Sequence, residues 1–396
     1  MAGWSTSAKR LEIVKQTPHP CATPSVGGAP LTVTVFDFTP VEFYLAAAFC
    51  SHMHPVSPSA ASPEAKMIRA LVAHHVDDAK PDFAIEATAD GFKDYVKSYF
   101  SGTVATALAF IGMQRNGYRW SGHFEHLRPP SAKGRSPDFV FASPVFGTCL
   151  VESKGTRSAN PGAFDGVVED GYLMQVERHL GTSLVGGAFP SHGYCIGSWM
   201  TSVSRAELVV HHSFATPAGS GAVSKVGAGG RIGDGDGRGI KAVQRQDMGT
   251  VFTLVFGARW GEAVRSGRID ELPVLIQIEW MERSWIAAAN WPADFVLELP
   301  LKSFRTSFPV GRRVFRDYAF MIERSVLATA LRRYGAEGDD MAADTDFPTF
   351  DADDVAMARR SGGALLGDGL AAVPAFTRVR ASRVEWNRRT GEFESA

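Results

Sequence analysis

The sequence predicts an α/β fold in which helices flank a mixed sheet. Apolar residues at steps of three and four from Asp94 to Ile111 indicate a helix of roughly five turns. Segments 138–142 and 148–153 are mostly β-branched, aromatic or small apolar, and the turn residues between them indicate a hairpin. A second helix and further strands follow, so we expect the order helix, three strands, helix, strand.

Individual elements follow from local signals. The first helix should end at Asn116-Gly117, a typical C-cap, and a strand should begin near Tyr118. Residues 158–170 are rich in Gly, Asn and Pro and are expected to form a loop. After this loop we predict a helix and two strands at 171–180, 194–200 and 207–212.

Length and composition define five regions in the 396 residues. We expect an N-terminal extension or small accessory unit (1–90), the core (91–215), a Gly-rich loop or linker (216–240), a C-terminal α+β region (241–335), and an acidic linker with a terminal strand region (336–396). The C-terminal regions are predicted to hold strands and one helix at 251–256, 274–280, 295–299 and 316–334. Their function is not readable from the sequence.

Bulk composition narrows the function classes. The net charge of −1 argues against a protein that coats nucleic acid through its overall charge, so binding would need a local patch. No segment approaches the length of a membrane span, and no signal peptide is visible. Four distant cysteines lack metal-ligand spacing and fit a reduced compartment. We therefore expect a cytoplasmic protein without a membrane partner.

The predicted hairpin carries charged residues that suit catalysis. Glu152 and Lys154 are two apart and therefore share a face of their strand, while the neighbouring strand can bring Asp138 beside them. Two carboxylates supply hard oxygen ligands for Mg²⁺, for which Mn²⁺ can substitute, and such an ion lowers the pKa of a bound water. Lys154 can then orient that water or neutralise charge on phosphorus. The reaction class is phosphodiester hydrolysis.

Pro137-Asp138 followed by Glu152-Ser153-Lys154 resembles the motif of the PD-(D/E)XK, or restriction-endonuclease-like, nucleases. The resemblance covers residues 92–212 and implies an αβββαβ core. It implies that Asp138, Glu152 and the Ser153 carbonyl bind the metal, that Lys154 is catalytic, and that Gln175 on the following helix assists. The extra acid that often precedes the hairpin is unassigned, with Glu125 the nearest candidate. The implied protein is an Mg²⁺-dependent endonuclease in restriction or phage defence.

The surroundings of the motif are basic although the whole chain is not. Arg135 and Arg157 adjoin the two halves of the motif, and this patch suits a phosphate backbone beside a metal. Nucleic acid is the expected partner, with DNA favoured over RNA, and a homo-oligomer or partner protein stays open. Three alternatives also stay open: a solvated hairpin whose charges only face water, an inactive nuclease-fold protein that binds nucleic acid or acts as a scaffold, and a metal-independent hydrolase using His or Cys.

Overall fold

A seven-stranded mixed sheet organises the first of two compact units, Met1–Cys50 with Ile68–Asp247, in a computed structural model of the protein. The second unit comprises Ser51–Met67 and Met248–Ala396. The structure describes residues 4, 7–21, 30–51, 68, 71–157, 160–200, 205–215, 238–288, 297–298, 318–335, 346–374 and 379–396. The expected Gly-rich loop thus lies almost entirely outside the described residues, as does most of the acidic linker.

The strand order in the first sheet is β2-β1-β7-β6-β5-β4-β3. The strands are β1 (Lys9–Cys21), β2 (Val35–Phe38), β3 (Trp120–His123), β4 (Phe139–Ser143), β5 (Gly147–Thr156), β6 (His192–Trp199) and β7 (Glu207–Ala215). The β1/β7 and β5/β6 pairs are parallel and the other pairs are antiparallel. The predicted mixed sheet, the hairpin and the two strands after it are confirmed.

The helices of this unit are α1 (Pro40–Ser51), α2 (Asp94–Arg115), a short α3 (Phe124–Leu127) and α4 (Pro161–Gly171). The predicted long helix is therefore confirmed as α2, and Gly117 at φ 83° ends it as expected. Asn116 holds this end in place, because its Nδ2 donates to the Gly112 carbonyl at 2.9 Å and its Oδ1 accepts from the Val33 amide at 2.9 Å.

Helices α2 and α4 pack on opposite faces of the sheet. Gly155 lies against α2, where a Cβ would come within 2.2 Å of the Ser101 carbonyl oxygen. Its neighbour Lys154 lies against Gly171 at the end of α4. Because successive strand residues point to opposite faces, β5 is covered on both sides by helices. This arrangement places the charged residues of β5 inside the protein rather than on an open surface.

The expectation of a loop at 158–170 is wrong, because helix α4 occupies most of that segment. The Asn160 side chain accepts from the Ala163 amide at 3.1 Å, and Pro161 stands in the first helical turn. Asn and Pro are thus start signals of a helix here rather than loop formers. The predicted helix at 171–180 is present as a π-helical turn over Tyr172–Val176 and a 3₁₀ turn over Glu177–His179.

The N-terminal region is part of the same sheet rather than a separate accessory unit. Strand β1 pairs in parallel with β7 from Glu12 to Cys21, and β2 pairs antiparallel with β1. Lys9 at the start of β1 is fully buried, and its ammonium donates to the Asp77 carbonyl at 2.7 Å. The extension therefore adds two strands that widen the predicted core.

The second unit is built on an eight-stranded sheet with the order β10-β14-β8-β9-β11-β13-β12, and β15 pairs with β14. Its strands are β8 (Leu275–Trp280), β9 (Arg283–Ala288), β10 (Leu297–Glu298), β11 (Tyr318–Glu323), β12 (Ala364–Leu365), β13 (Leu370–Pro374), β14 (Val379–Asn387) and β15 (Glu392–Ser395). Its helices are α5 (Arg238–Val255), which begins in the first unit, α6 (Ala258–Ser266), α7 (Arg324–Tyr334) and α8 (Ala352–Arg360). A core of Ile278, Trp285, Met321 and Val373 is fully buried.

Two predictions in this unit are wrong. Residues 251–255 end helix α5 instead of forming a strand, because a short apolar run does not by itself distinguish a strand from a buried helical turn. The helix expected over 316–334 is split into β11 and α7 at Glu323, whose carboxylate accepts from the Ser325 and Val326 amides and caps α7. No helix among the described residues is long and apolar enough to cross a membrane.

We expect Gly155→Ala to lower the free energy of unfolding by about 1–3 kcal/mol, since the new methyl group has no space between β5 and α2. Gly102→Ala on the exposed side of α2 is the matched control, because a Cβ there meets nothing within 4 Å. The control should gain roughly 0.5–1 kcal/mol from helix propensity. Urea denaturation followed by tryptophan fluorescence measures both, and equal midpoints for the two variants would refute the packing described for β5.

Candidate active site

The register of the β4/β5 hairpin places Asp138 directly opposite Glu152. Phe139 pairs with Val151 in the antiparallel ladder, so the next pair outward joins Asp138 to Glu152. The Asp138 carboxylate accepts two hydrogen bonds on Oδ2, from the Ser153 amide at 2.9 Å and from the Ser153 hydroxyl at 2.6 Å. Its Oδ1 remains open beside Glu152. The convergence predicted for these two acids is therefore present.

Helix α2 takes part in positioning Asp138. The Thr106 and Ser153 hydroxyls are hydrogen-bonded at 2.9 Å, and Thr106 Oγ1 also bonds to the Gly102 carbonyl at 2.8 Å. A chain of hydroxyls thus runs from the helix backbone to the Asp138 carboxylate. Sequence reasoning missed Thr106, because a threonine on a mostly apolar helix gives no signal about which strand residue it meets.

Lys154 connects Glu152 to Gln175. Its ammonium donates to Glu152 Oε1 and, at 2.7 Å, to Gln175 Oε1. The Gln175 amide in turn donates to the Ser136 carbonyl at 2.7 Å, just before the Pro-Asp pair. The structure thus brings together the four predicted catalytic residues, namely Asp138, Glu152, Lys154 and Gln175.

Close packing around the lysine keeps it in this position. A Cβ on Gly171 would lie 2.9 Å from Lys154 Cε and 2.8 Å from Cys195 Sγ, so only glycine fits there. The lysine stem therefore runs between α4 and the sheet, with its ammonium as the polar end. A glycine at the end of α4 thus gives the lysine stem the space through which its ammonium reaches Glu152 and Gln175.

Burial raises the pKa of both carboxyl groups above their ordinary values. It raises the pKa of Glu152 to about 8, with a further increase from the Asp138 charge and an opposing decrease from Lys154. Burial also raises the pKa of Asp138, against the lowering effect of its hydrogen bonds from Ser153. Glu152 Oε2 is buried and has no hydrogen-bond partner among the described residues. If both carboxyl groups were ionised, the site would hold more negative charge than Lys154 alone offsets.

A divalent cation fits this donor set. Glu152 Oε2 has no hydrogen-bond partner among the described residues, and both Ser153 bonds to Asp138 use Oδ2 rather than Oδ1. Hard carboxylate oxygens are preferred ligands of Mg²⁺ and Mn²⁺. No group of three His, Cys, Asp or Glu side chains that would hold a metal occurs in the described part of the chain. An ion here would take most of its ligands from water and substrate, as Mg²⁺ commonly does. A ligand role for the Ser153 carbonyl stays a prediction.

Glu125, the candidate for an extra acid, belongs to the supporting network. Its carboxylate accepts from the Ser136 hydroxyl at 2.5 Å and from Arg128 at 3.3 Å. Since Ser136 also receives the bond from Gln175, Glu125 is connected to the site through one residue. Its carboxylate is already engaged by these partners, so it is better described as a support of the loop before Asp138.

The two arginines expected to contact phosphate, Arg135 and Arg157, differ in exposure and in their hydrogen-bond partners. Arg135 is exposed on the loop that leads to Asp138, and its carbonyl accepts from His179 at 2.9 Å. The Arg157 side chain is only 4% exposed; its guanidinium pairs with Asp90 at 2.7 Å and donates to the carbonyls of Met200 and Glu86. The prediction that Arg157 contacts a substrate phosphate is therefore corrected. Its guanidinium donors are already used inside the protein, so its role is structural.

No family model matches the chain, and neither the curated proteins nor the solved structures contain a significant match. The chemistry of this site is therefore inferred from its own geometry.

The raised pKa of Glu152 predicts that the stability of the protein depends on pH in the absence of metal. The folded state keeps a proton on Glu152 up to a pKa of about 8, whereas the unfolded chain loses it near 4.5, so this stabilisation is present at low pH and is lost across that interval as the pH rises. In EDTA, the difference in unfolding free energy between wild type and Glu152→Gln should fall with pH, by at most about 1.4 kcal/mol per unit. Parallel curves for the two proteins would refute it.

Arg157→Ala should reduce the free energy of unfolding by about 1.5–3 kcal/mol, because it removes a buried guanidinium that pairs with Asp90 and donates to the carbonyls of Met200 and Glu86. Arg135→Ala, at an exposed position, should stay within roughly 0.5 kcal/mol of wild type. Chemical denaturation compares the two. Equal losses, or a larger loss for Arg135→Ala, would contradict the assignment of Arg157 to structure.

Proposed function

We propose that the protein is a metal-dependent nuclease that hydrolyses phosphodiester bonds with Mg²⁺ or Mn²⁺ at Asp138 and Glu152. One observation carries the proposal: the buried, unpartnered Glu152 Oε2 lies on the residue opposite Asp138, with the Lys154 ammonium bonded to the same carboxylate. A structural ion pair with Lys154 requires only one buried carboxylate. A site that binds a divalent cation together with a phosphate requires the second one as well.

Each residue has a role that follows from its contacts. Asp138 and Glu152 would hold the divalent ion through their open oxygens, with Ser153 fixing the Asp138 orientation. When bound, the ion lowers the pKa of a coordinated water and offsets charge that builds on the phosphate. Lys154 would donate a hydrogen bond to the attacking water or to a phosphate oxygen, and Gln175 would hold the ammonium toward that position.

The chain order around the site supports a restriction-endonuclease-like core. Helix α2, strands β3, β4 and β5, helix α4 and strand β6 follow in the αβββαβ order, and the two acids lie on the middle hairpin. By the same resemblance, the substrate is proposed to be DNA rather than RNA, and the role to be restriction or phage defence. Arg135, exposed on the loop next to Asp138, is the proposed contact for a phosphate of the substrate.

A second candidate function is an inactive nuclease-fold protein that binds nucleic acid or acts as a scaffold. The observation that favours it is the direct bond between Lys154 and Glu152, which closes the site with an ion pair. In a working nuclease this bond would give way when a cation binds Glu152. In a scaffold it would persist in the presence of metal.

Cleavage assays separate the two functions. We expect wild-type protein to cut plasmid, single-stranded DNA or RNA with Mg²⁺ or Mn²⁺ but not with EDTA. Lys154→Ala should slow cutting by about 10²–10³-fold, since a preorganised donor is lost from the transition state. Lys80→Ala is the matched control, because it removes another lysine that pairs with a carboxylate, in this case that of Asp77 at 3.1 Å.

The control variant should cut at the wild-type rate. If wild type, Lys154→Ala and Glu152→Gln all showed the same low cleavage rate with and without metal, the nuclease proposal would be eliminated. The second candidate function, an inactive nuclease-fold protein, would then remain. Metal-dependent cutting that survives in both site variants would show that a different site performs the chemistry.

A further inference from the structure

We propose that Tyr95 and Tyr99 of α2 form a stacking platform for the bases of an unpaired nucleic-acid strand that enters the carboxylate site. This inference rests on the proposed nuclease function and names its substrate class as single-stranded or locally unpaired nucleic acid. It depends on three features: the exposure of the tyrosines, their alignment with the site, and the charge at this end of the helix.

The two tyrosines belong to one stripe of α2. Tyr95, Tyr99, Gly102 and Thr106 are spaced by four, three and four residues and therefore share one face of the helix. Tyr95 is 77% exposed and Tyr99 is 40% exposed, although the opposite face of α2 is buried in the unit. An exposed pair of aromatic rings one turn apart does not contribute to the core of this unit.

The stripe leads directly to the site. At its inner end the Thr106 hydroxyl bonds Ser153, and the Ser153 hydroxyl donates to Asp138. Seven residues separate Thr106 from Tyr99, which is about 10 Å along the helix axis, and Tyr95 lies about 6 Å further out. Between them Gly102 has open space, since a Cβ there would meet nothing within 4 Å. Within the stripe, therefore, no side chain stands between Tyr99 and Thr106.

The chemistry of the stripe selects unpaired bases. A base stacks on an exposed tyrosine ring through its π face, and such stacking tolerates any base. Bases inside a duplex are already stacked on their neighbours, so a platform of this kind discriminates against double strands. Lys93 at the N-cap of α2 and Lys97 one turn later outnumber Asp94 in the first turn, so positive charge prevails near Tyr95, and the helix N-terminus, which has no side-chain cap, adds to it. These charges suit the phosphates between the bases.

Binding measured in EDTA tests the platform without cleavage. Fluorescence anisotropy with a labelled oligo-dT, an oligo-rU of equal length and a duplex gives the affinity for each form. We expect tighter binding of the single strands, with Tyr95→Ala and Tyr99→Ala each weakening it about 5- to 100-fold. The DNA and RNA arms show which sugar the site prefers. Tyr99→Trp should retain or tighten binding, because the larger ring also stacks.

Phe189→Ala is the matched control. Phe189 is 40% exposed, as Tyr99 is, and its carbonyl accepts from Thr148 near the opposite end of β5. The control should bind the oligonucleotides as wild type does. Unchanged single-strand binding in both tyrosine variants would overturn the platform, and so would an equal loss in Phe189→Ala or an equal loss for duplex.

The result is independent of the cleavage outcome. Tyrosine-dependent binding without any cutting would support the platform and eliminate the nuclease function, whereas cutting with tyrosine-independent binding would do the reverse. Light scattering tests the alternative that the stripe binds a second copy of this chain, because it measures whether the protein is a dimer. A wild-type dimer that Tyr95→Ala converts to monomer would overturn the proposal.

Discussion

The register between β4 and β5 is the constraint on which the site depends. Because Phe139 pairs with Val151, the aspartate that precedes β4 and the glutamate of β5 must meet, and a slip of one residue would turn Glu152 to the α2 face. The register is fixed by the fully buried side chains of Val140, Phe141 and Leu150. Ordinary hydrophobic packing thus determines where the charges stand, and the charged groups themselves contribute little to that choice.

Holding two carboxyl groups together in the interior is unfavourable without a cation. Burial raises the pKa of both groups, the Asp138 charge raises that of Glu152 further, and one oxygen of Glu152 lacks a partner among the described residues. The surrounding contacts act against this tendency, from the Ser153 bonds on Asp138 to the Gln175 bond on Lys154. Protein stability and site chemistry are therefore in conflict at this point, as is common at functional sites.

The sequence predicted the core because its signals were local. The hairpin, α2 and the motif residues followed from periodicity and turn residues, and the structure brings the four predicted catalytic side chains together. Helix α4 was missed because Asn160 and Pro161 are start signals that also suit loops. Arg157 was misjudged because its partner Asp90 is 67 residues away, a contact that no spacing reveals. Thr106 and Gly171 were invisible for the same reason, since their roles depend on packing between distant segments.

The roles of the sheet and of the site are separable. In the first sheet, strands β1 and β2 are separated from the β4/β5 hairpin by β7 and β6, so their function is not implied by the chemistry at Asp138 and Glu152. The α2 stripe, by contrast, is connected to Asp138 by two hydrogen bonds through Thr106 and Ser153. Recognition of a strand and its hydrolysis would therefore share one helix.

A crystal structure of the protein soaked with Mn²⁺ tests the central claim most directly, because the ion is located by its anomalous scattering. The account predicts one Mn²⁺ bound by Glu152 Oε2 and Asp138 Oδ1 at about 2.0–2.2 Å, with the Lys154 ammonium displaced from Glu152. An ion bound elsewhere, or no ion together with an intact Lys154–Glu152 pair, would contradict it.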